Sequence, residues 1–139
     1  MNAYKISDIS VGMKESFTCT VTAEMMRKFL DITADENPLH TDESFAKTKG
    51  FPSRVVYGML TASFISTLGG VYIPGKFCLI QGIEIKFAKP VFIGDELTVL
   101  GEVSRVDLDL KYTEIKVTIK NQKKEKVLRG LLKAGVIDE

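Results

Sequence analysis

The stretch VVYGMLTASFISTLGGVYIPG, residues 55–75, carries no charged side chain. A helix of this length could span a lipid bilayer. Gly69, Gly70 and Pro74 argue against a membrane span, because glycine and proline interrupt a helix, and hydroxyl side chains are spread along the stretch. We therefore predict a helix from Gly58 to Leu68 that is buried on nearly all sides inside a folded protein.

The residues that follow this helix predict a sheet that could bury it. Apolar and polar side chains alternate in three stretches and a last strand follows, at residues 83–87, 97–103, 115–119 and 127–136. Gly94-Asp95 and residues 121–124 are turn signals between strands. Alternation is typical of an antiparallel sheet with one covered face. The predicted fold class is α+β, with one long helix wrapped by a curved antiparallel sheet, as in the hot-dog fold.

The residues before residue 55 predict a strand and two helices. Phe17, Cys19 and Val21 alternate with polar residues, as in a short strand. An amphipathic helix then begins after Thr22, its predicted N-cap. The apolar face of this helix is Met25, Met26, Phe29, Leu30 and Ile32.

Pro38 sets the limit of that amphipathic helix. Proline pushes the preceding residue, Asn37, out of helical geometry, so the helix cannot continue past it. We expect a loop over residues 34–40, sequence ADENPLH, which contains the only histidine of the chain. A second short helix is predicted from Asp42, with Thr41 as its cap.

Composition limits the classes of protein to consider. The 139 residues are 45% hydrophobic, which is enough for one globular domain over residues 1–139. The net charge of +1 provides no basic field for nucleic acid. Four lysines near one turn are read as a solvated hairpin tip: Lys120, Lys123, Lys124 and Lys126.

The cysteines and the N-terminus indicate a cytoplasmic protein. Cys19 and Cys78 lie far apart in apolar or strand-like runs, so we expect buried free thiols in a reducing compartment. A single histidine, His40, without a Cys-x-x-Cys pair argues against a zinc site. The first residues lack the apolar core of a signal peptide.

Two runs of the sequence resemble one enzyme family. They are DENPLHTDESFAKTKGFPSRVVYGMLTASFIS, residues 35–66, and IKFAKPVFIGDELTVLGEV, residues 85–103. They are similar to the (R)-specific enoyl-CoA hydratases, also called MaoC-like dehydratases or hydratase 2. The most specific part is the Asp-x-Asn-Pro-Leu-His segment followed by a Gly-Met-Leu helix start. The resemblance spans most of the chain.

The resemblance implies an activity and a set of site residues. The activity is reversible addition of water to trans-2-enoyl-CoA, giving the (R)-3-hydroxyacyl thioester of fatty acid metabolism, in a homodimer or higher even oligomer with the site at the interface. Asp35 and His40 match the catalytic pair. Gly58 matches the glycine whose N–H holds the thioester oxygen. Ser66 matches a supporting serine, and Asn37 braces the same loop.

Tyr57 departs from the family pattern, which commonly has histidine before Gly-Met-Leu. Because the matched oxygen contact comes from the Gly58 backbone, we expect the substitution to leave the chemistry intact and to affect substrate preference. We interpret Tyr57 as a packing residue.

The chemistry also follows from the residues themselves. Hydration of an unsaturated thioester needs a base, an acid and a donor for the enolate oxygen. In a continuous helix Asp35 and His40 would diverge, whereas a proline-broken loop lets them converge on one water, which predicts syn addition. The Gly58 N–H, unpaired at a helix N-terminus, is the third group. Which of Asp35 and His40 is the base stays open.

Other interpretations of the same residues remain open. Asp-Glu-Asn-Pro alone is an ordinary helix terminator. Ser66 could instead bond back to its own helix. A hot-dog thioesterase and a non-catalytic acyl-CoA-binding subunit are the alternative functions. For the hydratase we expect no metal and no redox cofactor, and either CoA or acyl carrier protein as the carrier, since water addition transfers no electrons.

Overall fold

A five-stranded antiparallel sheet forms the frame of the protein. In the computed structural model, which describes residues 1–138, the strands are β1 (Lys14–Thr20), β2 (Cys78–Phe87), β3 (Glu96–Asp107), β4 (Tyr112–Lys120) and β5 (Lys126–Val136). Their order across the sheet is β1-β3-β4-β5-β2, and every neighbouring pair is antiparallel. The predicted antiparallel sheet is confirmed, with β1 and β2 as its two edges.

The helices precede β2 in the chain. They are α1 (Ala23–Thr33), α2 (Pro38–Thr41), α3 (Glu43–Thr48) and α4 (Gly58–Thr67). A π-helical turn, Leu68–Tyr72, continues α4, and a 3-10 turn, Ile6–Asp8, precedes β1. The predicted long helix from Gly58 is therefore present. No helix within residues 1–138 has both the length and the apolar character needed to cross a membrane.

The core lies between α4 and one face of the sheet. Side chains of α4 and its π-helical turn pack with the inward side chains of the strands, the largest being Ile65, Leu68, Leu97, Ile115, Ile119, Leu128 and Leu132. Gly101 in β3 permits this close approach, because a Cβ at Gly101 would lie 2.9 Å from Leu68 Cδ2. The alternating burial of β3 and β4 matches the predicted one-sided sheet.

Two predictions of burial are wrong for this chain. The helix α4 is not covered on nearly all sides, since Met59, Ser63 and Ser66 form an exposed stripe along it. The apolar side chains of β2 are also uncovered, with Ile83 40% and Phe87 54% exposed. The reason is strand order: β2 is an edge, and the described chain contributes no further strand beyond it.

The helix α1 begins as predicted and ends earlier than Pro38. The Thr22 hydroxyl accepts a hydrogen bond from Met25 N at 3.2 Å, so the predicted cap is confirmed. The helix ends at Thr33, because Ala34 takes a left-handed conformation with φ 57°. Ile32, predicted on the apolar face, is 81% exposed in this last turn.

Pro38 starts a helix rather than only ending one. It is the first residue of α2, where its fixed φ fits and its missing N–H is not needed. The loop predicted over residues 34–40 therefore holds for 34–37 and is wrong for 38–40. The predicted cap of the next helix is also wrong: Asp42, not Thr41, accepts from Phe45 N, at 3.1 Å. Thr41 is instead the last residue of α2.

Both cysteines are free and partly buried, which confirms free thiols but not full burial. Burial raises the pKa of Cys19 and raises that of Cys78 to about 11. The four hairpin lysines are exposed around the turn between β4 and β5, as predicted.

Candidate active site

A cavity of about 270 Å³ opens where α2, the start of α4 and the end of β2 meet. His40 and Gly58 both line it, although they are far apart in sequence. The remaining wall is mostly apolar: Val55, Val56, Thr61, Phe87, Ala88, Lys89, Pro90, Val91 and Val127. The structure thus brings together two of the residues that the sequence predicted for the site.

His40 is held in one orientation by the short helix α2 and by the strand-like segment at Val55. Asn37 caps α2, since its Oδ1 accepts from Leu39 N at 2.9 Å. The Val55 N–H donates to Leu39 O at 3.1 Å, and Val55 O lies 2.7 Å from His40 Nδ1. A carbonyl oxygen only accepts, so Nδ1 carries a proton and Nε2 is the nitrogen that can take up or release one.

Asp35 lies on the exposed turn between α1 and α2. Its Oδ1 accepts a hydrogen bond from Asn37 N at 3.1 Å, which fixes the carboxylate relative to the turn. Within residues 1–138 its other oxygen, Oδ2, makes no hydrogen bond. That oxygen is available as an acceptor for a ligand or a water.

Tyr57 contacts both members of the predicted pair. Its hydroxyl donates to the backbone carbonyl of Asp35 at 2.8 Å, and its ring centroid lies 4.3 Å from that of His40. The ring also packs 4.8 Å from Phe29 in α1, and the side chain is only 2% exposed. Burial, and then the Asp35 charge, raises the pKa of Tyr57, so the phenol stays protonated at neutral pH. The packing role predicted for Tyr57 is present, with an added link to the Asp35 turn.

Gly58 is the first residue of α4. Its N–H precedes the intrahelical hydrogen bonds, and Tyr57, the N-cap, gives the helix no side-chain hydrogen bond. A Cβ at Gly58 would lie 3.1 Å from the ring of Phe87, so any side chain here would press on the cavity wall. Gly58 therefore presents a backbone donor at the positive end of a helix dipole, beside His40.

The structure does not bring Ser66 to this cavity. Ser66 lies on α4 about 12 Å along the helix axis from Gly58. It lines a separate cleft with Met59, Ser63 and Ile83, beside the exposed edge of the sheet. Ser63 bonds back to its helix, at 2.6 Å from Leu60 O, and Ser66 makes no such bond within the described residues.

Two further cavity residues were missed by the sequence analysis. Thr61 follows Gly58 by one turn of α4, and this spacing on one helix face was the signal that could have identified it. Phe87 carried no comparable signal, because only the strand order places it over Gly58.

Comparison with known proteins identifies the family. Residues 8–127 match the family described as the MaoC like domain. The chain belongs to this family. The predicted family membership and hot-dog fold are both confirmed, because solved MaoC-like hydratases share the same architecture.

Relatives of this MaoC-like chain include hydratases and dehydratases. It is 39% identical to an (R)-specific enoyl-CoA hydratase of Aeromonas caviae over 73% of this chain and 75% of the relative. The solved structure of the A. caviae (R)-hydratase involved in PHA biosynthesis superposes with a TM-score of 0.88 at 33% identity, covering 92% of this chain and 97% of that one. A mitochondrial 3-hydroxyacyl-[acyl-carrier-protein] dehydratase of Arabidopsis thaliana is 33% identical over 72% of this chain and 58% of the relative.

Proposed function

We propose that this MaoC-like protein is an (R)-specific enoyl-CoA hydratase, which reversibly adds water to trans-2-enoyl-CoA to give (R)-3-hydroxyacyl-CoA. The observation that carries the proposal is the shared cavity of His40 and Gly58, with His40 Nδ1 held by Val55 O. This shared cavity supports a site in which a histidine nitrogen and a helix N-terminal donor act on one ligand. The similarity to (R)-specific enoyl-CoA hydratases supports the substrate class and the stereochemistry.

In the proposed reaction, Asp35 and His40 share the two proton transfers. One of them takes a proton from water as the water oxygen bonds to C3 of the enoyl chain. The electron pair of the double bond moves toward the thioester and forms an enolate, and the other group returns a proton to C2. In this proposal both groups act on one face of the double bond, so the new C3–O and C2–H bonds form on the same face, which is syn addition. Positioned proton transfer of this kind typically accelerates a reaction about 10²- to 10⁴-fold.

Gly58 is proposed to hold the enolate oxygen. A backbone N–H aimed at charge that develops in the transition state is worth roughly 3–4 kcal/mol of barrier. The dipole of α4 adds to this, since its N-terminus is positive. Asn37 is proposed to support the site indirectly, by capping α2 and so positioning His40.

We also propose that the protein assembles as a homodimer, or a higher even oligomer, through the edge at β2. The two sheet edges differ: β1 exposes polar side chains, whereas β2 exposes Leu79, Ile80 and Ile83. An uncovered apolar edge is normally protected by pairing, and twofold symmetry lets the same strand pair with its copy. Exposed Met59 on α4 extends the same apolar surface.

The thioester carrier is proposed to be CoA, and acyl carrier protein is a second carrier to test. The Arabidopsis relative is named as acting on acyl carrier protein, so both carriers occur among proteins similar to this chain. Comparing crotonyl-CoA with crotonyl-acyl carrier protein at equal concentration decides between them. A cytoplasmic location is proposed as well, because Cys19 and Cys78 are free thiols, and cell fractionation tests it.

The reaction is proposed to need neither a metal nor a redox cofactor, because adding water transfers no electrons. We expect the rate to be unchanged after dialysis against a chelator. Loss of activity on chelation, with recovery on addition of a metal, would contradict the mechanism.

The test of the function is hydration of crotonyl-CoA, followed as loss of the enoyl absorbance. Chiral analysis of the product should give the (R)-3-hydroxy thioester. A thioesterase would instead release free CoA thiol, which a disulfide reagent detects. Binding of the thioester without either change would identify a non-catalytic subunit.

A further inference from the structure

One buried hydroxyl in the cavity has no partner. The Thr61 side chain is only 2% exposed, and its Oγ1 makes no hydrogen bond within residues 1–138. Threonine in a helix commonly bonds back to a carbonyl three or four residues earlier. For Thr61 these are the carbonyls of Gly58 and Tyr57, and within residues 1–138 its Oγ1 bonds to neither. The Thr61 hydroxyl is thus left without an acceptor in its own helix.

Thr61 lies on the same face of α4 as the Gly58 donor. Thr61 and Gly58 are three residues apart on α4, so they lie on one face of the helix. Helical side chains lean toward the N-terminus, which carries the Thr61 hydroxyl back over the first turn. Both residues line the same cavity, which His40 also lines.

The surroundings of Thr61 restrict which groups can accept a hydrogen bond from its hydroxyl. The nearby wall of the cavity is apolar, formed by Val55, Val56, Phe87 and Val91 among others. A buried hydroxyl without a partner destabilises the folded chain, whereas an apolar side chain of the same shape would not. A hydroxyl is useful at this position if a ligand supplies an acceptor.

We propose that Thr61 donates a second hydrogen bond to the thioester oxygen held by the Gly58 N–H. This inference rests on the proposed hydratase function. A thioester oxygen is an acceptor only, which matches the free O–H of Thr61. Its negative charge grows as the enolate forms, so the hydrogen bond strengthens in the transition state and raises turnover more than it raises substrate affinity. Thr61 is then a catalytic residue outside the Asp35 and His40 pair.

The experiment compares Thr61→Val with Thr61→Ser. Valine keeps the shape of threonine without the hydroxyl, and serine keeps the hydroxyl. We expect Thr61→Val to lower kcat on crotonyl-CoA about 10²-fold, with KM changed less than about threefold. Its Tm without substrate should be equal to or above that of the wild type, because the unpaired hydroxyl is gone. Thr61→Ser should keep kcat within about fivefold of the wild type.

The outcomes separate this inference from the proposed function. If the wild type hydrates crotonyl-CoA and Thr61→Val has the same kcat, the role of Thr61 alone is overturned. A Thr61 hydroxyl that hydrogen-bonds only to a buried water, and not to the thioester, would overturn it as well. A loss of kcat accompanied by a lower Tm would show a packing role and would also overturn it. An equal loss of kcat in Thr61→Ser and Thr61→Val would also overturn the role of the Thr61 hydroxyl. A wild type that does not hydrate crotonyl-CoA would overturn the hydratase proposal together with this one.

Discussion

The two halves of helix α4 face different surroundings. Its first turn, at Gly58, is enclosed by His40, Tyr57 and Phe87. Its second half carries Ser63 and Ser66 beside the uncovered edge of β2. The first turn therefore lies in the cavity, whereas the second half lies on the surface that we propose a partner covers. The proposed chemistry thus lies at the first turn and the proposed assembly surface along the second half, and Phe87 of β2 connects the two, because it lines the cavity at the end of the edge strand. Variants of the catalytic pair should change turnover without changing assembly.

The largest effect is expected from the proposed catalytic pair, Asp35 and His40. Asp35→Asn keeps the shape of the side chain but removes the carboxylate that can exchange a proton, and His40→Gln removes proton exchange by the imidazole. Each should lower crotonyl-CoA hydration by at least about 10²-fold, and the double variant should be little worse, because the pair acts as a unit.

Self-association is the control measurement for the Asp35 and His40 variants. Sedimentation should be unchanged in both single variants, since neither residue lies at the edge of β2, and thermal unfolding should show that both remain folded. A single variant with near wild-type turnover would refute the assignment and favour a binding protein over an enzyme.

The next effect is expected at the sheet edge. Ile83→Asp places a charge in the proposed pairing surface and should weaken self-association by at least about 10²-fold, because a buried unpaired charge is strongly destabilising. Thr18→Asp is the matched control on the opposite edge, β1, where exposed polar side chains already lie, and it should leave assembly unchanged. Sedimentation velocity measures both. A fully active Ile83→Asp monomer would contradict the expectation of an active dimer with the site at its interface.

A smaller effect is expected at Tyr57. Tyr57→Phe keeps the ring contacts with His40 and Phe29 but removes the hydrogen bond to Asp35 O. We expect a loss of about 0.5–1.5 kcal/mol in the free energy of unfolding, measured with denaturant. Turnover should fall less than about tenfold, with the change mainly in KM. A loss near 10³-fold would place the phenol among the proton-transferring groups.

The smallest effect is expected at Ser66. Ser66→Ala should keep turnover within about threefold, because an exposed serine distant from the cavity makes a small energetic contribution. Ser63→Ala is the control, since Ser63 is also exposed on α4 but bonds to Leu60 O. If Ser66→Ala alone lowers kcat about 10²-fold, Ser66 acts on the site through the assembled partner, and the division of α4 into two halves fails.

The sequence by itself determined the elements whose signals are local. Alternation identified β3 and β4, the Thr22 cap located the start of α1, and the charge-free run from Val55 located α4. It also singled out His40 and Gly58, which the structure places at one cavity. These signals depend on residues a few positions apart, so the amino-acid sequence alone contains them.

The tertiary structure decided the rest, because it depends on which distant segments become neighbours. Strand order made β2 an edge and so exposed Ile83, although its alternation is like that of β4. The Tyr57 bond to Asp35 and the His40 bond to Val55 join residues 22 and 15 positions apart. Such contacts follow from packing across the fold, and no local pattern of residues specifies them.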